Sequence, residues 1–267
     1  MYGDQLPYRQ LYDGWMAYEG GAGYDDLLRP WLAANEGERR WLDAVRARPG
    51  RPIPPMTPEE RCRLYALSRI VDLLQLSFAP AGEQRTWDVA PVTRDEYARF
   101  MDALGLQVVD RVDFHPFHHE IVAVDEVPDE GALPEVVQVF WLGYMLGPLL
   151  ITRAGVRVAA GRRHLRREVA ERSTLYWAHA RNTRPTTDLG SGWGGNSQWR
   201  TPFRRDYLLA GTLHYNVDAA PPSAGGRIND DLDAAERAEL LRHRCFVICP
   251  KPDDDRWPYD LTMTEQA

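Results

Sequence analysis

The residues LQVVDRVDFHPFHHEIVAVDEV (106–127) mark the change from a helical to a β pattern in this 267-residue chain. Apolar and β-branched residues recur on both sides of His115-Pro116, which predicts two strands around a polar break. Because Pro116 has no backbone N–H, we expect it at the mouth of the second strand. Ile121 and Val122 are both apolar, so this second strand is predicted to be central and covered on both faces.

Upstream of residue 106 the spacing of apolar residues predicts helices. Residues 24–46 carry leucines and tryptophans at roughly helical spacing. The sequence TPEE (57–60) is a capping box with proline in the first turn, and the helix that it opens is expected to run to about Phe78. A further helix is predicted to follow Thr93 and to stop at Gly105.

Downstream the pattern stays β. Strands are predicted in 134–145, in 148–160 with a turn at Ala154-Gly155, in 174–181, and in a hairpin at 205–218 that turns at Ala210-Gly211. Residues 162–173 are expected to form a short basic helix. The tail is predicted to hold one helix within 231–244 and a strand at 245–248.

These elements predict an α+β fold in which N-terminal helices pack on a largely antiparallel β-sheet. A long Gly/Trp/Arg-rich loop is expected near one end of that sheet. We treat 1–267 as a single domain: 1–105 is a mainly helical scaffold, 106–220 is β-rich and carries the candidate site, and 221–267 supplies a helix, a strand and a tail.

Composition excludes several classes of protein. No apolar stretch is long enough to span a bilayer, and the first residues lack a signal-like pattern, so a cytoplasmic protein without membrane contact is expected. Lys251 is the one lysine, which disfavours pyridoxal phosphate and other Schiff-base chemistry. Twelve arginines and three acidic residues fall between 153 and 205, although the net charge of the chain is −7. A basic middle in an acidic protein indicates a local anion site, and nucleic acid is an unlikely partner.

Three histidines lie within five residues at His115, His118 and His119, next to Glu120. Two other predicted strands carry His179 and His214. If the three strands belong to one sheet, their imidazoles converge at one end and could hold Fe, Cu or Zn. The predicted metal ligands are His115, His119, His179 and His214, with Glu120 and Asp218 in catalytic roles. A structural role for the histidines at the strand end is the alternative, and His164 and His243 are expected to be exposed.

The segment 182–203 has no regular pattern, although tryptophans and glycines recur in it. A loop of this length inside a compact domain is usually functional. We expect it to hold an anionic substrate over the histidines. The predicted substrate-binding residues are Arg181, Trp193, Asn196, Trp199, Arg200 and Arg204. The loop lacks the spacing of a phosphate-binding or dinucleotide-binding motif, so no nucleotide cofactor is indicated.

The first functional hypothesis is a small-molecule enzyme with a histidine-ligated divalent transition metal, acting on a carboxylate or phosphate substrate. Imidazole-rich ligation slightly favours a metal-dependent oxidoreductase over a hydrolase. The second is a metal-free enzyme in which a histidine and Glu120 or Asp218 transfer protons. The third is a binding protein without chemistry, for an anionic ligand or single-stranded nucleic acid. A protein–protein interaction role stays open, as do the substrate and the oligomeric state.

Overall fold

The structure is a computed structural model that describes residues 7–78, 90–171, 203–219, 231–251, 258 and 261–267. It confirms the α+β class: helices accompany a six-stranded antiparallel sheet and a smaller sheet of three strands. Within these ranges no helix is both long enough and apolar enough to cross a membrane.

The described helices lie mostly in the N-terminal part of the chain. They are α1 (Pro7–Met16), a π-helical turn (Tyr24–Leu28), α2 (Arg29–Ala34), α3 (Glu36–Arg46), α4 (Pro58–Gln75), α5 (Arg94–Ala103), α6 (Arg167–Ala170) and α7 (Ala234–His243). The described strands are β1 (Gln107–Val108), β2 (His119–Glu126), β3 (Glu135–Trp141), β4 (Tyr144–Leu146), β5 (Leu149–Thr152), β6 (Ala154–Ala160), β7 (Tyr207–Leu209), β8 (Thr212–Tyr215) and β9 (Met263–Gln266).

The helices begin and end close to the positions that short sequence motifs predict. Helices α4 and α5 both open with capping boxes, in which a threonine accepts the backbone N–H of the glutamate three residues on. Helix α4 ends at Gln75, three residues before the predicted end, and Gly105 follows α5 with a φ of 77° that favours glycine. These helices bury their apolar faces against β4, β5 and β7 in one large core.

The six-stranded sheet has the order β1-β4-β5-β7-β8-β9. The hairpin β7–β8 turns at Ala210 and Gly211, whose φ angles of 47° and 77° suit the tight turn predicted there. The predicted turn at Ala154-Gly155 is wrong, because both residues belong to β6 and the chain breaks at Arg153 instead.

The three-stranded sheet has the order β2-β6-β3, and β2 runs parallel to β6. Among the described strands β2 pairs with β6 alone, and its first four residues, 119–122, are all buried. The central position of β2 stays a prediction, because the predicted strand at 174–181 lies outside the described residues. Helix α6 packs beside β2, and a core that includes Ile121, Cys245 and Val247 covers one face.

The predicted strand at 245–248 is also wrong. The backbone N–H groups of Val247 and Ile248 donate to the carboxylate of Glu239 on α7. A side chain therefore satisfies the donors that a sheet neighbour would otherwise accept.

In the smaller sheet the Trp141 indole packs directly against the backbone of Gly155. We predict that Gly155→Ala lowers the free energy of unfolding by about 2 kcal/mol. A Cβ at this position would overlap the buried Trp141 indole, whose Nε1–H donates to the backbone oxygen of Arg153 at 3.0 Å. Chemical denaturation measures the change. The control is Gly37→Ala in α3, where a Cβ meets open space and a gain of up to about 1 kcal/mol is expected. Equal effects of the two substitutions would contradict the packing argument.

Candidate functional site

The pairing of β5 with β7 brings together residues that are distant in sequence. Asp206 immediately precedes β7, and its backbone oxygen accepts the N–H of Leu150 in β5 at 2.9 Å. Arg153 follows β5 at the break before β6. Its side chain therefore reaches Asp206, 53 residues further along the chain.

The buried carboxylate of Asp206 accepts three hydrogen bonds. Oδ2 accepts Arg153 Nη2 at 2.8 Å, and Oδ1 accepts Arg204 Nε at 2.9 Å and the backbone N–H of Asn216 at 2.7 Å. Burial raises the pKa of Asp206, but the guanidinium groups of Arg204 and Arg153 outweigh burial and hold this pKa below its usual range. Asp206 is thus ionised at neutral pH and bridges two arginines.

The two arginines have more donors than the described residues satisfy. Arg153 also donates from Nε to the backbone oxygen of Pro116 at 2.9 Å, yet its buried Nη1 has no hydrogen-bond partner in the described part of the chain. Both terminal nitrogens of Arg204 are also buried and find no partner among the described residues, and its side chain is 0% exposed. Unsatisfied buried donors of a charged group are costly, so these three nitrogens require an explanation.

A third arginine approaches from α7. Arg244 follows this helix in the left-handed region, with a φ of 64°, and its Nη1 lies 3.6 Å from Oε2 of the buried Glu120. Burial and, after it, the nearby charge of Arg244 lower the pKa of Arg153 to about 10. We define the arginine cluster as Arg153, Arg204, Arg244, Asp206 and Glu120. As defined, the cluster holds three guanidinium groups and two carboxylates.

A histidine cluster borders the arginine cluster. It contains His115, His118, His119 and His243. In all four the pKa is lowered, with burial as the largest cause; for His118 and His243 it falls to about 3. The imidazoles are therefore neutral at pH 7 and add no charge to the arginine cluster.

Backbone hydrogen bonds fix two of these imidazoles. Nδ1 of His119 accepts the backbone N–H of His115 at 3.0 Å, and Nδ1 of His115 accepts the N–H of Phe117 at 3.1 Å. These bonds shape the tight turn that precedes β2. They also occupy one nitrogen of each ring.

His118 differs from its two neighbours. It is 6% exposed, and its buried Nδ1 has no hydrogen-bond partner among the described residues. Its ring packs edge-on against Phe117, with 4.9 Å between the ring centroids. Burial is the largest cause of the low pKa of His118, followed by the charge of Arg111, and the charge of Arg153 also contributes.

His214 does not join this group. Among the described strands, His119 lies on β2 of the three-stranded sheet and His214 lies on β8 of the six-stranded sheet, so these two histidines do not share a sheet there. The third strand of the predicted convergence, which carries His179, lies outside the described residues. Leu213 and Tyr215 face the core that contains Phe117, which directs His214 to the opposite face of β8.

Asp218, predicted to be catalytic, is an ion-pair partner. Both of its carboxylate oxygens accept from Arg205, which also donates to the backbone oxygen of Pro54 and to the Tyr207 hydroxyl. Arg205 therefore satisfies its donors within the protein, in contrast to Arg204 beside it.

The other predicted residues divide into two sets. Glu120 and Arg204 belong to the arginine cluster. Outside the described residues lie His179, Arg181, Trp193, Asn196, Trp199 and Arg200. His164 and His243 are both partly buried, so their predicted exposure is wrong.

Metal binding stays a prediction. Within the described ranges, no group of three or more His, Cys, Asp or Glu side chains is arranged to hold a metal ion. The predicted ligand set includes His179, which lies outside those ranges, so the set as a whole is not tested.

Sequence reasoning missed three residues of the site, Arg153, Asp206 and Arg244, and it named His118 only as a member of the histidine group. Arg153 did give a signal, because it is the one charged residue in the apolar run PLLITRAGV (148–156). A charged residue in a buried strand needs a partner. The sequence does not reveal that this partner is Asp206.

Comparison of the chain with protein-family models, curated proteins and solved structures finds no match.

Loss of the Asp218 carboxylate should destabilise the protein. We predict that Asp218→Asn lowers the free energy of unfolding by about 3 kcal/mol, because it leaves the buried guanidinium of Arg205 without its ion pair. Glu130→Gln is the control, since the exposed pair of Glu130 with Arg163 should contribute less than about 0.5 kcal/mol. Unchanged stability of Asp218→Asn in chemical denaturation would contradict this structural role.

The low pKa of His243 predicts acid sensitivity. Below its ordinary pKa of 6.5, His243 takes up a proton in the unfolded chain, while the folded protein keeps it neutral down to about pH 3. The unfolded state binds more protons in this window, so stability falls as the pH falls. His243→Gln should flatten this dependence by up to about 1 kcal/mol per pH unit between pH 6.5 and 3. Equal slopes for both proteins in urea denaturation would contradict the assignment.

Proposed function

We propose that the protein binds a small anionic ligand at the arginine cluster. The observation that carries this proposal is a set of three buried guanidinium nitrogens that have no hydrogen-bond partner within the described ranges: Nη1 of Arg153 and Nη1 and Nη2 of Arg204. An anion that accepts from them would remove the cost of the unsatisfied donors and would form charge-assisted hydrogen bonds.

The charge of the site supports the same proposal. The arginine cluster holds more guanidinium groups than carboxylates, and the neighbouring imidazoles are neutral. Desolvated charge is costly unless it is compensated, so the cluster gains most from a ligand of opposite charge. A neutral ligand would accept the hydrogen bonds but leave the charge uncompensated.

The contrast with Arg205 argues against a purely structural role for these donors. Arg205 is as buried as Arg204 and lies next to it in the sequence, and it donates to a carboxylate, a carbonyl and a hydroxyl of the protein. This segment of the fold can thus satisfy a buried guanidinium completely. Arg204 keeps two nitrogens unpartnered, as a ligand-binding residue would.

The proposal makes a direct prediction for Arg204→Gln. Thermal unfolding of the wild type should shift upward by about 5 °C at a saturating concentration of a bound anion, because ligands that bind only the folded state stabilise it. Acetate, phosphate and sulfate are the first probes, each titrated at constant ionic strength. Arg204→Gln should lose this shift.

Arg163→Gln is the matched control, because it removes an equal charge from an exposed site that pairs only weakly with Glu130. It should keep the full shift of the wild type. Equal shifts in wild type and Arg204→Gln, or the absence of any shift with every anion, would contradict the proposal.

A further inference from the structure

Oδ1 of Asp206 connects the arginine cluster with Asn216. It accepts Arg204 Nε at 2.9 Å and the backbone N–H of Asn216 at 2.7 Å, so one oxygen atom holds both residues. Asn216 is 3% exposed, and its backbone lies in the left-handed region with a φ of 51°. A residue other than glycine keeps this conformation only where its surroundings hold it, and the bond to Asp206 does so.

The side chain of Asn216 extends this connection to a distant part of the chain. Its Nδ2 donates to the backbone oxygen of Leu261 at 2.7 Å and to that of Pro258 at 3.2 Å. We define the β9 segment as Pro258 and residues 261–267, which include β9. The bond of Asn216 to Asp206 and its bonds to the β9 segment thus depend on the same left-handed conformation.

A second route joins Arg204 to the β9 segment. Cζ of Arg204 lies 5.8 Å from the centre of the Tyr215 ring, and the Tyr215 hydroxyl donates to Oε1 of Glu265 in β9. Arg242 of α7 donates to the other carboxylate oxygen of Glu265 at 2.8 Å. Tyr215 also pairs with Met263 in the β8–β9 ladder. Arg204 is therefore connected with the β9 segment through a carboxylate and through an aromatic ring.

The strand β9 is more exposed than its neighbour β8. No residue of β9 is fully buried, whereas Leu213 and Tyr215 of β8 are 0% exposed. Among the described strands β9 pairs only with β8, at one edge of the six-stranded sheet. Elements with few buried contacts open locally at a small cost in free energy. Gain or loss of one buried hydrogen bond therefore changes the fraction of molecules in which this strand is docked.

We propose that the β9 segment regulates the anion site, because docking of this segment and binding of an anion to Arg204 stabilise each other. This inference rests on the anion-binding function proposed above and adds its regulation. An anion on the terminal nitrogens of Arg204 fixes the guanidinium against Asp206, and Asp206 holds Asn216 in the conformation that binds the β9 segment. Such coupling is reciprocal, so release of the segment weakens anion binding by the same ratio.

Hydrogen–deuterium exchange of the full chain at pH 7.5, followed by mass spectrometry, tests this coupling. Acetate, phosphate and sulfate are the probes, each at constant ionic strength. With an anion that stabilises the wild type against thermal unfolding, the amides of 263–266 should exchange about fivefold more slowly, which is the low end of typical coupling between two sites. Exchange in Arg204→Gln should not respond to the anion.

Asn216→Gly separates the coupling from general stabilisation. Glycine adopts the same left-handed backbone and keeps the N–H that Asp206 accepts, but it lacks the side chain that binds the β9 segment. This variant should bind the anion about fivefold more weakly in isothermal titration, and at saturation it should lose most of the slowing at 263–266. Thr264→Ala is the matched control, because it changes an exposed side chain of β9 and should keep the wild-type affinity and exchange response.

The outcomes separate the two proposals. If an anion stabilises the wild type but not Arg204→Gln, and exchange at 263–266 does not change, the coupling is wrong and the anion-binding function stands. The coupling is also wrong if a folded Asn216→Gly, checked by circular dichroism, keeps either the wild-type affinity or the exchange response. If no anion affects the wild type, or if Arg204→Gln responds as the wild type does, both proposals are wrong. Exchange in the wild type tests the coupling even where Asn216→Gly does not fold.

Discussion

The carboxylate of Asp206 holds two buried guanidinium groups at once, and the arrangement of the candidate site depends on this contact. Through Arg153 it reaches the backbone of Pro116 in the turn before β2, and through its own backbone it is paired with β5. It also accepts the N–H of Asn216, where β8 ends and the backbone takes a φ of 51°. Asp206 thus connects β5 and the end of β8 in the six-stranded sheet with the turn that precedes β2.

This arrangement is expensive as a way to stabilise a fold. Buried ion pairs rarely exceed the cost of desolvating their charges, and a well-packed apolar core of the same volume would serve stability as well or better. An arginine pair with three unpartnered nitrogens is costlier still. The excess of donors is better explained by recognition than by folding, which is why the proposed function starts from Arg204 and not from the histidines.

Structural features that depend on residues close together in the sequence were predictable. The capping box at Thr57, the helix that follows Thr93 and the turn at Ala210-Gly211 depend on local hydrogen bonds and backbone conformation, and each lies where the pattern predicts it. A local pattern is sufficient for such features because every participating atom lies in the same short segment.

Features that depend on contacts between distant segments were not predictable. Nothing in residues 119–126 indicates a parallel pairing with β6, and this pairing separates His119 from His214. The pairing of Arg153 with Asp206 spans 53 residues and follows from the β5–β7 register. Residues 245–248 have strong β propensity, yet the backbone N–H groups of Val247 and Ile248 donate to the carboxylate of Glu239. These two groups are therefore not available to a neighbouring strand.

Crystals soaked in sodium bromide, with anomalous diffraction measured at the bromine edge, test directly whether the arginine cluster binds an anion. Bromide is a monoanion that accepts hydrogen bonds, and its anomalous scattering locates it. We expect an anomalous peak in contact with Nη1 of Arg153 and the terminal nitrogens of Arg204. Hydrogen bonds from all three nitrogens to other groups of the protein, with no bromide beside them, would contradict anion binding at this cluster.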